Sequence, residues 1–366
     1  MLLARIRLVG LGPFGDITLP LCDPDGSPRR LCVIFGGEGV GKTAVLSAIA
    51  TTRPGHAVAQ IVHTRSAGSP SSALRADLPH DPRPDVPPFV VAEWLLGDDD
   101  PARPHTLCVA SPNARLDERD DEALLRRREQ ALFDRRAAER GFVLVSLSGA
   151  RWFSRTPVLL TTPERTLLRY DVRASTSFDD ASRTDIARET KQVLSFACIT
   201  AALSRKTESA PVTAARLETA LVGVLGALLE EDGCTFVGVD PVRLEPLFRD
   251  ADDRLLEFDD LPRSLRHLVA FGTHAVRSLA AAFPDRDPRE SEGVVLIDDV
   301  EIEQPAHRLR TLIPRLRRAL PRVQWILTSS SPDVALGCAP GEIIALRRLP
   351  GAAAIELHEG EDAVLH

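Results

Sequence analysis

The chain has 366 residues, 44% of them hydrophobic and 27% charged, with a formal net charge of −7 at pH 7. This composition is typical of a globular protein with one large α/β domain or two ordinary ones, and it argues against a basic coat for nucleic acid over the whole surface. No apolar run approaches the roughly 18 residues that span a bilayer, and the N-terminus lacks the apolar segment of a signal peptide, so we expect no membrane contact and a cytoplasmic location.

The N-terminal segment predicts three strands and a helix. Alternating apolar residues indicate strands over 4–10 and 16–21, joined by a Gly-Pro turn. Residues 31–35 form a continuous apolar run bounded by glycine, which is typical of a strand buried on both faces. A helix should follow over 43–52 and end before Pro54.

The middle of the chain mixes hairpin, loop and helix signals. In chain order, the patterns predict a strand over 58–64, a surface loop over 66–88, a hairpin of 89–96 with 106–110, a helix over 117–140, a strand over 142–147, a hairpin of 157–160 with 166–172, and helices over 184–204 and 213–231. The helix over 117–140 places acids before arginines, which suits the helix dipole, but its apolar stripe is thin. We expect it either to project from the body or to lie solvated on the surface.

The C-terminal third returns to alternating strands and helices. Its patterns predict helices over 261–283 and 306–320, strands over 293–297 and 323–328, and a closing hairpin of 342–346 with 353–357. We therefore predict an α/β fold with a mixed central sheet flanked by helices. Residues 1–65 and 236–366 would form the two parts of one domain, around a largely helical insertion over 66–235.

A glycine-rich loop connects the predicted strand over 31–35 to the helix that follows it. It matches the full pattern GxxxxGK[ST], in which backbone N–H groups turn inward around phosphates and the helix adds its positive end. Lys42, one of only three lysines, should reach the β- and γ-phosphates of ATP, and the Thr43 hydroxyl should ligate Mg²⁺. The predicted ATP-binding residues are Gly36, Gly37, Glu38, Gly39, Val40, Gly41, Lys42, Thr43 and Ala44.

An apolar strand followed by acids lies at residues 294–299, with the sequence Val-Val-Leu-Ile-Asp-Asp. Such a strand places a carboxylate at the carboxyl edge of the sheet, beside the phosphate-binding loop, where Asp298 would hold Mg²⁺. Asp299 or Glu301 would then orient the attacking water, because alternate residues of an extended segment share a side. The alternative interpretation is an ordinary strand that ends in a polar turn.

A second strand with a polar end covers residues 325–333, Trp-Ile-Leu-Thr-Ser-Ser-Ser-Pro-Asp. If it lies next to the acidic strand, it could present a polar side chain to the γ-phosphate. A serine-capped turn from strand to helix explains the same residues equally well.

Together, three segments resemble the ABC-type ATPases of the SMC, RecF and OLD-like group within the AAA family ATPases. They are the N-terminal strand pair that runs into the glycine loop, the Ile-Asp-Asp-x-Glu segment, and the Thr-Ser-Ser-Ser-Pro strand end, which the family typically has as Thr-Thr-His-Ser-Pro. The order and spacing match over roughly residues 1–60 and 240–350. The resemblance implies a P-loop NTPase fold of the ABC type, with ATP and Mg²⁺ as cofactors, in which 1–65 and 236–366 form the ATPase domain.

Members of this group have a signature segment, Leu-Ser-x-Gly, that contacts ATP bound in a partner subunit. Here residues 258–266 stand in its place without the glycine, so the resemblance implies that Arg263 or Ser264 would supply the contact. An ordinary capped helix start explains that segment as well.

The resemblance also assigns two catalytic positions that depart from the family. Asp299 stands where the family has its catalytic glutamate, and Ser330 stands where it has a switch histidine. With Glu301, these residues are the catalytic candidates. Gln60 is the candidate for the glutamine that links Mg²⁺ to the inserted lobe.

The leading hypothesis is an ATPase that forms a head-to-head homodimer when ATP binds, turns over slowly because of these departures, and acts on a protein or DNA partner, as in DNA maintenance or phage defence. The alternative is a nucleotide-binding regulatory or scaffold protein with little or no hydrolysis. A kinase-like or AAA-type enzyme on a small substrate would need an arginine-finger or lid pattern, which the sequence lacks. A GTPase would need an Asn-Lys-x-Asp segment, which is also absent.

Overall fold

The computed structural model describes residues 1–54, 87–97, 105–111, 114, 116–159, 169–170, 178, 184–205, 212–348 and 355–363. The predicted strand over 58–64, Gln60, most of the loop over 66–88 and most of the hairpin over 157–172 lie outside these ranges. No helix within them is long and apolar enough to cross a membrane.

The strands of the described chain are β1 Leu2–Val9, β2 Asp16–Pro20, β3 Leu31–Phe35, β4 Phe89–Leu95, β5 Thr106–Ala110, β6 Leu144–Leu147, β7 Thr235–Val239, β8 Pro246–Arg249, β9 Leu255–Glu257, β10 Gly293–Ile297, β11 Val323–Ser329, β12 Ile343–Arg348 and β13 Ile355–Glu359. The helices are α1 Lys42–Thr51, α2 Asp120–Ala138, α3 Ala187–Ser204, α4 Val212–Leu229, α5 Arg263–Ala282, α6 Leu309–Ala319 and α7 Pro332–Leu336. The predicted elements that lie within the described ranges are present with ends shifted by a few residues, except for the hairpin of 157–160 with 166–172, whose described residues 157–159 and 169–170 are irregular.

A central sheet organises the described chain, with six strands in the order β13-β12-β3-β11-β10-β6. Strands β12, β3, β11, β10 and β6 are parallel, and β13 closes the sheet as an antiparallel edge strand. Strands β10 and β11 are buried along their whole length, as the continuous apolar runs predict for parallel strands covered on both faces. This is the mixed α/β architecture that the sequence predicts.

Two apolar layers cover the two faces of the central sheet. Because side chains alternate along a strand, Trp325 packs into the cluster built with α3, α4, α5 and α6, while its neighbour Ile326 packs into the cluster built with α1 and the N-terminal strands. The second layer contains an antiparallel sheet of four described strands in the order β2-β1-β4-β5. The glycine loop and α1 therefore lie between the two sheets.

Helix α2 is anchored to the antiparallel sheet and does not project from the body. Its exposed face includes Leu124 and Leu125, but Phe133 is fully buried. The Phe133 ring lies 5.8 Å from Trp94 and 5.6 Å from Phe142, centroid to centroid. The thin apolar stripe is therefore supplemented by an aromatic residue: Phe133 packs in the core with Leu132 beside it, and Glu129 accepts from the Cys108 N–H of β5 (2.9 Å).

The segment over 66–235 supplies strands to both main sheets. Strands β4 and β5 extend β1 in the antiparallel sheet, and β6 pairs with β10 beside the acidic strand end. The division into residues 1–65, 66–235 and 236–366 remains a prediction. A small antiparallel sheet of β7, β8 and β9 precedes α5; its strands of three to five residues are too short to show an alternating pattern.

One buried amide joins the two main sheets. The Gln324 side chain accepts a hydrogen bond from the Leu3 N–H (2.8 Å) and donates to the carbonyl oxygens of Leu3 (2.8 Å) and Arg29 (3.0 Å). The side chain of a β11 residue therefore satisfies backbone groups of β1 and of the segment that enters β3. Buried backbone groups need such partners because they have left water.

We expect Gln324→Leu to destabilise the protein by about 3–5 kcal/mol, because it leaves three buried backbone groups without a partner while keeping the side-chain volume. The free energy of unfolding from urea denaturation measures this. Gln130→Leu is the matched control, because Gln130 lies half-exposed on α2 and donates only to Asp134. A loss no larger than that of the control would contradict the bridging role of Gln324.

Candidate functional site

The glycine loop turns tightly between β3 and α1. Gly41 has φ +95°, and a Cβ atom there would lie 2.6 Å from Pro13 Cγ and 2.7 Å from Phe14 Cζ. Only glycine fits this combination of left-handed backbone and close packing. Because the turn is completed at Gly41, the helix begins directly at Lys42.

Lys42 folds back over the loop that precedes it. Its Nζ donates to the carbonyl oxygens of Gly36 (2.8 Å) and Gly37 (2.9 Å), and the residue is only 9% exposed. Residues 37–39 remain exposed above it. The loop thus forms an exposed concave turn with a cation at its centre, which is the arrangement that cradles phosphate.

Three strand ends bring their polar side chains to one carboxylate. The Thr43 hydroxyl at the end of the loop donates to Asp298 Oδ2 (2.9 Å), and the Thr328 hydroxyl at the end of β11 donates to Asp298 Oδ1 (2.6 Å). Asp298 follows β10 and is 5% exposed. The parallel register of β3, β11 and β10 produces this meeting, because the carboxyl ends of parallel strands share one edge.

This donor set fits a nucleotide-bound Mg²⁺. A threonine hydroxyl and a carboxylate at the mouth of a phosphate loop are ligands that Mg²⁺ uses, with phosphate oxygens and water completing its octahedron. Over the described residues, no group of three or more His, Cys, Asp or Glu side chains could hold a metal by itself. The site therefore fits a metal that arrives with a phosphate ligand.

Asp299 adopts a left-handed backbone with φ +44°. Its N–H donates to Thr328 Oγ1 (2.7 Å), so the hydroxyl that donates to Asp298 also accepts from the next residue. Burial raises the pKa of the Asp299 carboxyl, and Asp298 and Glu301 raise it further, while Lys42 and Arg151 oppose them. The charges of Asp298 and Glu301 and the charge of Lys42 therefore act on the Asp299 carboxyl in opposite directions.

The Asp299 carboxylate packs against the loop after β6. A Cβ atom on Gly149 would lie 3.0 Å from Asp299 Oδ2 and 3.3 Å from Asp298 Oδ2. The absence of a side chain at position 149 therefore leaves room for both carboxylates. The chain after β6 forms one wall of the acidic site.

Glu301 and Ser330 form a second contact, close enough to Asp299 for the Glu301 charge to affect its carboxyl. Glu301 Oε1 accepts from the Ser330 N–H (2.7 Å) and from its hydroxyl (3.0 Å). The other oxygen, Oε2, is buried with no hydrogen-bond partner among the described residues. The structure therefore brings all three catalytic candidates to this edge, but only Glu301 and Ser330 are bonded to each other.

Arg263 and Ser264 lie at the start of α5, beside the loop that follows Asp299. Arg263 NH1 pairs with Glu303 Oε1 (2.7 Å), and its side chain is 69% exposed. The carbonyl oxygen of Ser264, a buried residue, accepts from Gln304 Nε2 (3.1 Å). Within this chain, both residues therefore contact the acidic loop and not the glycine loop.

Sequence reasoning missed a buried arginine behind the acids. Arg151 donates to the carbonyl oxygens of Asp298 (2.6 Å) and Asp299 (2.9 Å), and its Nε donates to His267 Nδ1 (2.8 Å). Burial lowers the pKa of Arg151 to about 10, so it stays charged at neutral pH. Burial and then Arg151 lower the pKa of His267 to about 3. No motif surrounds Arg151, so nothing in its sequence context distinguishes it from the other arginines of the chain.

Comparisons with known proteins identify the fold. No family model and no curated protein sequence matches the chain. Solved structures do: the SMC head domain from Thermotoga maritima is 13% identical with a TM-score of 0.49, covering 99% of this chain and 100% of that one. An Smc head with an extended coiled coil, bound to the C-terminal domain of ScpA and derived from Pyrococcus furiosus, is 12% identical with a TM-score of 0.50, covering 98% and 96%. An SMC head bound to the C-winged helix domain of ScpA is 10% identical with a TM-score of 0.48, covering 99% of each chain.

The chain therefore has an ABC-ATPase-like fold of the SMC head type. This confirms the fold class that the sequence motifs predicted. Identity this low carries the fold and not the activity, so the RecF or OLD-like subgroup, the signature contact and the residue roles remain predictions.

We expect Asp299→Asn to raise Tm at pH 7 by about 1–3 °C. The pKa of Asp299 lies above its ordinary 3.8 in the folded protein, so the folded state holds this proton more tightly than the unfolded chain. Stability therefore falls as the pH rises through the interval above 3.8, and asparagine removes that loss. Asparagine also tolerates the left-handed backbone.

Scanning calorimetry between pH 3 and pH 7 checks this expectation, and the gain should vanish at the acid end of the series. Asp260→Asn is the control, because Asp260 is exposed. A gain of the same size in both variants, or one that persists in acid, would contradict the assignment.

Proposed function

We propose that this protein is an ATP-binding ABC-type ATPase, in which Mg²⁺-ATP joins two copies head to head and is hydrolysed slowly. The observation that carries the proposal is the convergence of the Thr43 and Thr328 hydroxyls on the Asp298 carboxylate, beside a loop that holds Lys42 at its centre. The two hydroxyls come from positions 255 and 30 residues away from Asp298, so the cluster is more specific than the glycine motif alone.

Each residue of the cluster has a defined task toward the nucleotide. Lys42 exchanges its two loop carbonyls for β- and γ-phosphate oxygens, which are stronger acceptors for an ammonium. Thr43 and Asp298 would hold Mg²⁺, which neutralises charge on the phosphates. The Thr328 hydroxyl donates to the Asp298 carboxylate, which orients it, and accepts from the Asp299 N–H at the same time.

Hydrolysis needs an acid that orients water in line with the γ-phosphate. Asp299 is close enough to Lys42 to feel its charge, but it has one methylene less reach than a glutamate. Glu301 is one methylene longer, but Ser330 holds its Oε1 and its Oε2 is buried. Neither arrangement gives a single well-placed acid, which supports slow turnover.

The dimer part of the proposal rests on the segment that starts α5. Arg263 is largely exposed, and among the described residues its ion pair is with the partly exposed Glu303, which is worth little in water. It can therefore leave Glu303 for the phosphates of a nucleotide bound in a second copy. The Smc head solved with the C-terminal domain of ScpA makes a protein partner part of this proposal; DNA is the other partner class.

A regulatory nucleotide-binding protein without turnover is the second candidate. The observation that favours it is the hydrogen bonding between Glu301 and Ser330. Glu301 is the longer acid and Ser330 is at the switch position, and each is bonded to the other instead of being free to act on a nucleotide. In that case ATP binding alone would change the protein's state.

We expect the wild-type chain to bind ATP more tightly with Mg²⁺ than without it. In Thr43→Val, the factor by which Mg²⁺ improves ATP affinity should be about 10-fold smaller, because the substitution deletes a metal ligand. Isothermal titration with and without Mg²⁺ measures both. Thr43 is exposed, so valine should leave the fold intact. Thr43→Ser keeps the hydroxyl and should bind as the wild type does; if the wild type binds no ATP, the proposal fails.

Light scattering after gel filtration should show a monomer that becomes a dimer only with ATP and Mg²⁺. Arg263→Glu should prevent the dimer, because it places a carboxylate against the partner's phosphates. Arg310→Glu is the matched control, since Arg310 is an exposed arginine on α6 paired with Asp333.

Phosphate release in the same samples separates the two candidates. Slow release by the wild type supports the ATPase, whereas ATP binding and dimer formation without release support the regulatory protein. A monomer that ATP and Mg²⁺ leave unchanged would contradict the dimer model.

A further inference from the structure

Arg151 contacts three separate segments of the chain. Its guanidinium donates to the carbonyl of Ser148 in its own loop (3.0 Å), to the carbonyls of Asp298 and Asp299 after β10, and to the His267 ring on α5. The residue is 5% exposed. The loop after β6, the acidic strand end and the helix of the signature-like segment therefore meet at one side chain.

The chemistry of this position requires arginine. The acceptors are carbonyl oxygens and a ring nitrogen that lie in different directions, and a planar guanidinium presents five N–H donors in a fixed fork. These neutral acceptors stabilise its positive charge within a buried site. The Arg151 Cζ atom also lies 5.1 Å from the centroid of the Phe271 ring. A lysine ammonium could reach one or two of these acceptors but could not hold all of them at once.

On the acidic side, Arg151 fixes backbone that is otherwise strained. A left-handed φ at a non-glycine residue persists only when its surroundings hold it. At Asp299 these surroundings are the Thr328 hydroxyl on the N–H and Arg151 on the carbonyl. Arg151 therefore helps to hold the backbone from which the Asp299 carboxylate projects.

On the helix side, the hydrogen bond to His267 links Arg151 to the position of α5. The Nδ1 atom can accept because His267 is neutral, and Phe153 packs edge-on against the ring at 4.9 Å. His267 lies four residues after Arg263, one helical turn along α5. A shift of the helix start therefore moves the group that Arg151 bonds.

We infer that Arg151 is a positioning residue that couples the start of α5 to the Asp298–Asp299 acids, so that contact of a second copy with α5 sets the geometry of the metal and water site. This inference rests on the proposed function for its role with ATP. The coupling itself is a property of the chain without nucleotide. It operates through the bond between Arg151 Nε and His267 Nδ1.

Hydrogen exchange of the nucleotide-free protein tests the coupling directly. The reporters are the amides of Asp299, Val300 and Ile302, which are all hydrogen-bonded in the acidic loop. His267→Phe keeps an aromatic ring and deletes the acceptor, so exchange at these amides should rise about 10-fold. His267→Asn places an oxygen acceptor near the Nδ1 position and should restore most of the protection.

The control is His274→Phe. His274 is a buried histidine on the same helix, but it contacts Thr190 and Glu189 and not Arg151. It should leave exchange at the acidic loop as in the wild type. Equal exchange in His267→Phe and the wild type, or an equal rise in both phenylalanine variants, would overturn the inference.

Nucleotide titrations extend the test to the proposed site. In Arg151→Lys and His267→Phe, the gain in ATP affinity that Mg²⁺ provides should fall about 10-fold, whereas binding of ATP without Mg²⁺ should be unchanged. An unchanged Mg²⁺ gain in both variants would overturn the inference for the metal site. A wild type that binds no ATP would remove the proposed function, and the exchange experiment would still decide the coupling.

Discussion

The contact of Thr43 and Thr328 with Asp298 is the constraint on which the site depends. It forms only if β3, β11 and β10 lie side by side and parallel, because Asp298 and Thr328 come from the carboxyl ends of β10 and β11 and Thr43 comes from the helix that follows β3. A buried carboxylate without such donors would be costly. The two hydroxyls supply that stabilisation.

The layers around the central sheet explain why this edge is rigid. On one face α5 and its neighbours pack against Trp325 and its neighbours in the larger core, and on the other face α1 packs between the two sheets. The glycine loop is held from outside by Pro13 and Phe14, and the acidic loop is held from inside by Arg151. The two loops that would bind a nucleotide are thus supported by different layers. The two layers meet at the Asp298 carboxylate.

Local patterns predicted the parts of the fold that depend on local physics. Continuous apolar runs predicted β3, β10 and β11, and the order of glycine, lysine and threonine predicted the turn into α1. The hydroxyls at the end of β11 indicate a functional strand end. The contact between Thr328 and Asp298 could be predicted only with the order of the strands in the sheet. The acids were identified as a group, but the backbone of Asp299 and the bond between Glu301 and Ser330 depend on side chains 29 residues away.

Contacts between distant segments could not be predicted in this way. Arg151 has no motif around it, and its importance comes from three acceptors that only the folded chain assembles. Phe133 is one aromatic residue in a charged helix, and only the pocket formed by Trp94 and Phe142 shows why it is buried. Gln324 looks like an ordinary polar residue in a strand, yet its partners lie 321 and 295 positions away.

The position of β3 in the sheet has a consequence for how the protein is made. Its two neighbours are β11 and β12, which begin about 290 and about 310 residues after it. Contacts so distant in sequence form late, since the loop-closure entropy must be overcome first. Residues 36–43 are therefore synthesised well before the two strands that flank β3, and the sheet edge that carries the phosphate loop is completed only when β11 and β12 pair with β3.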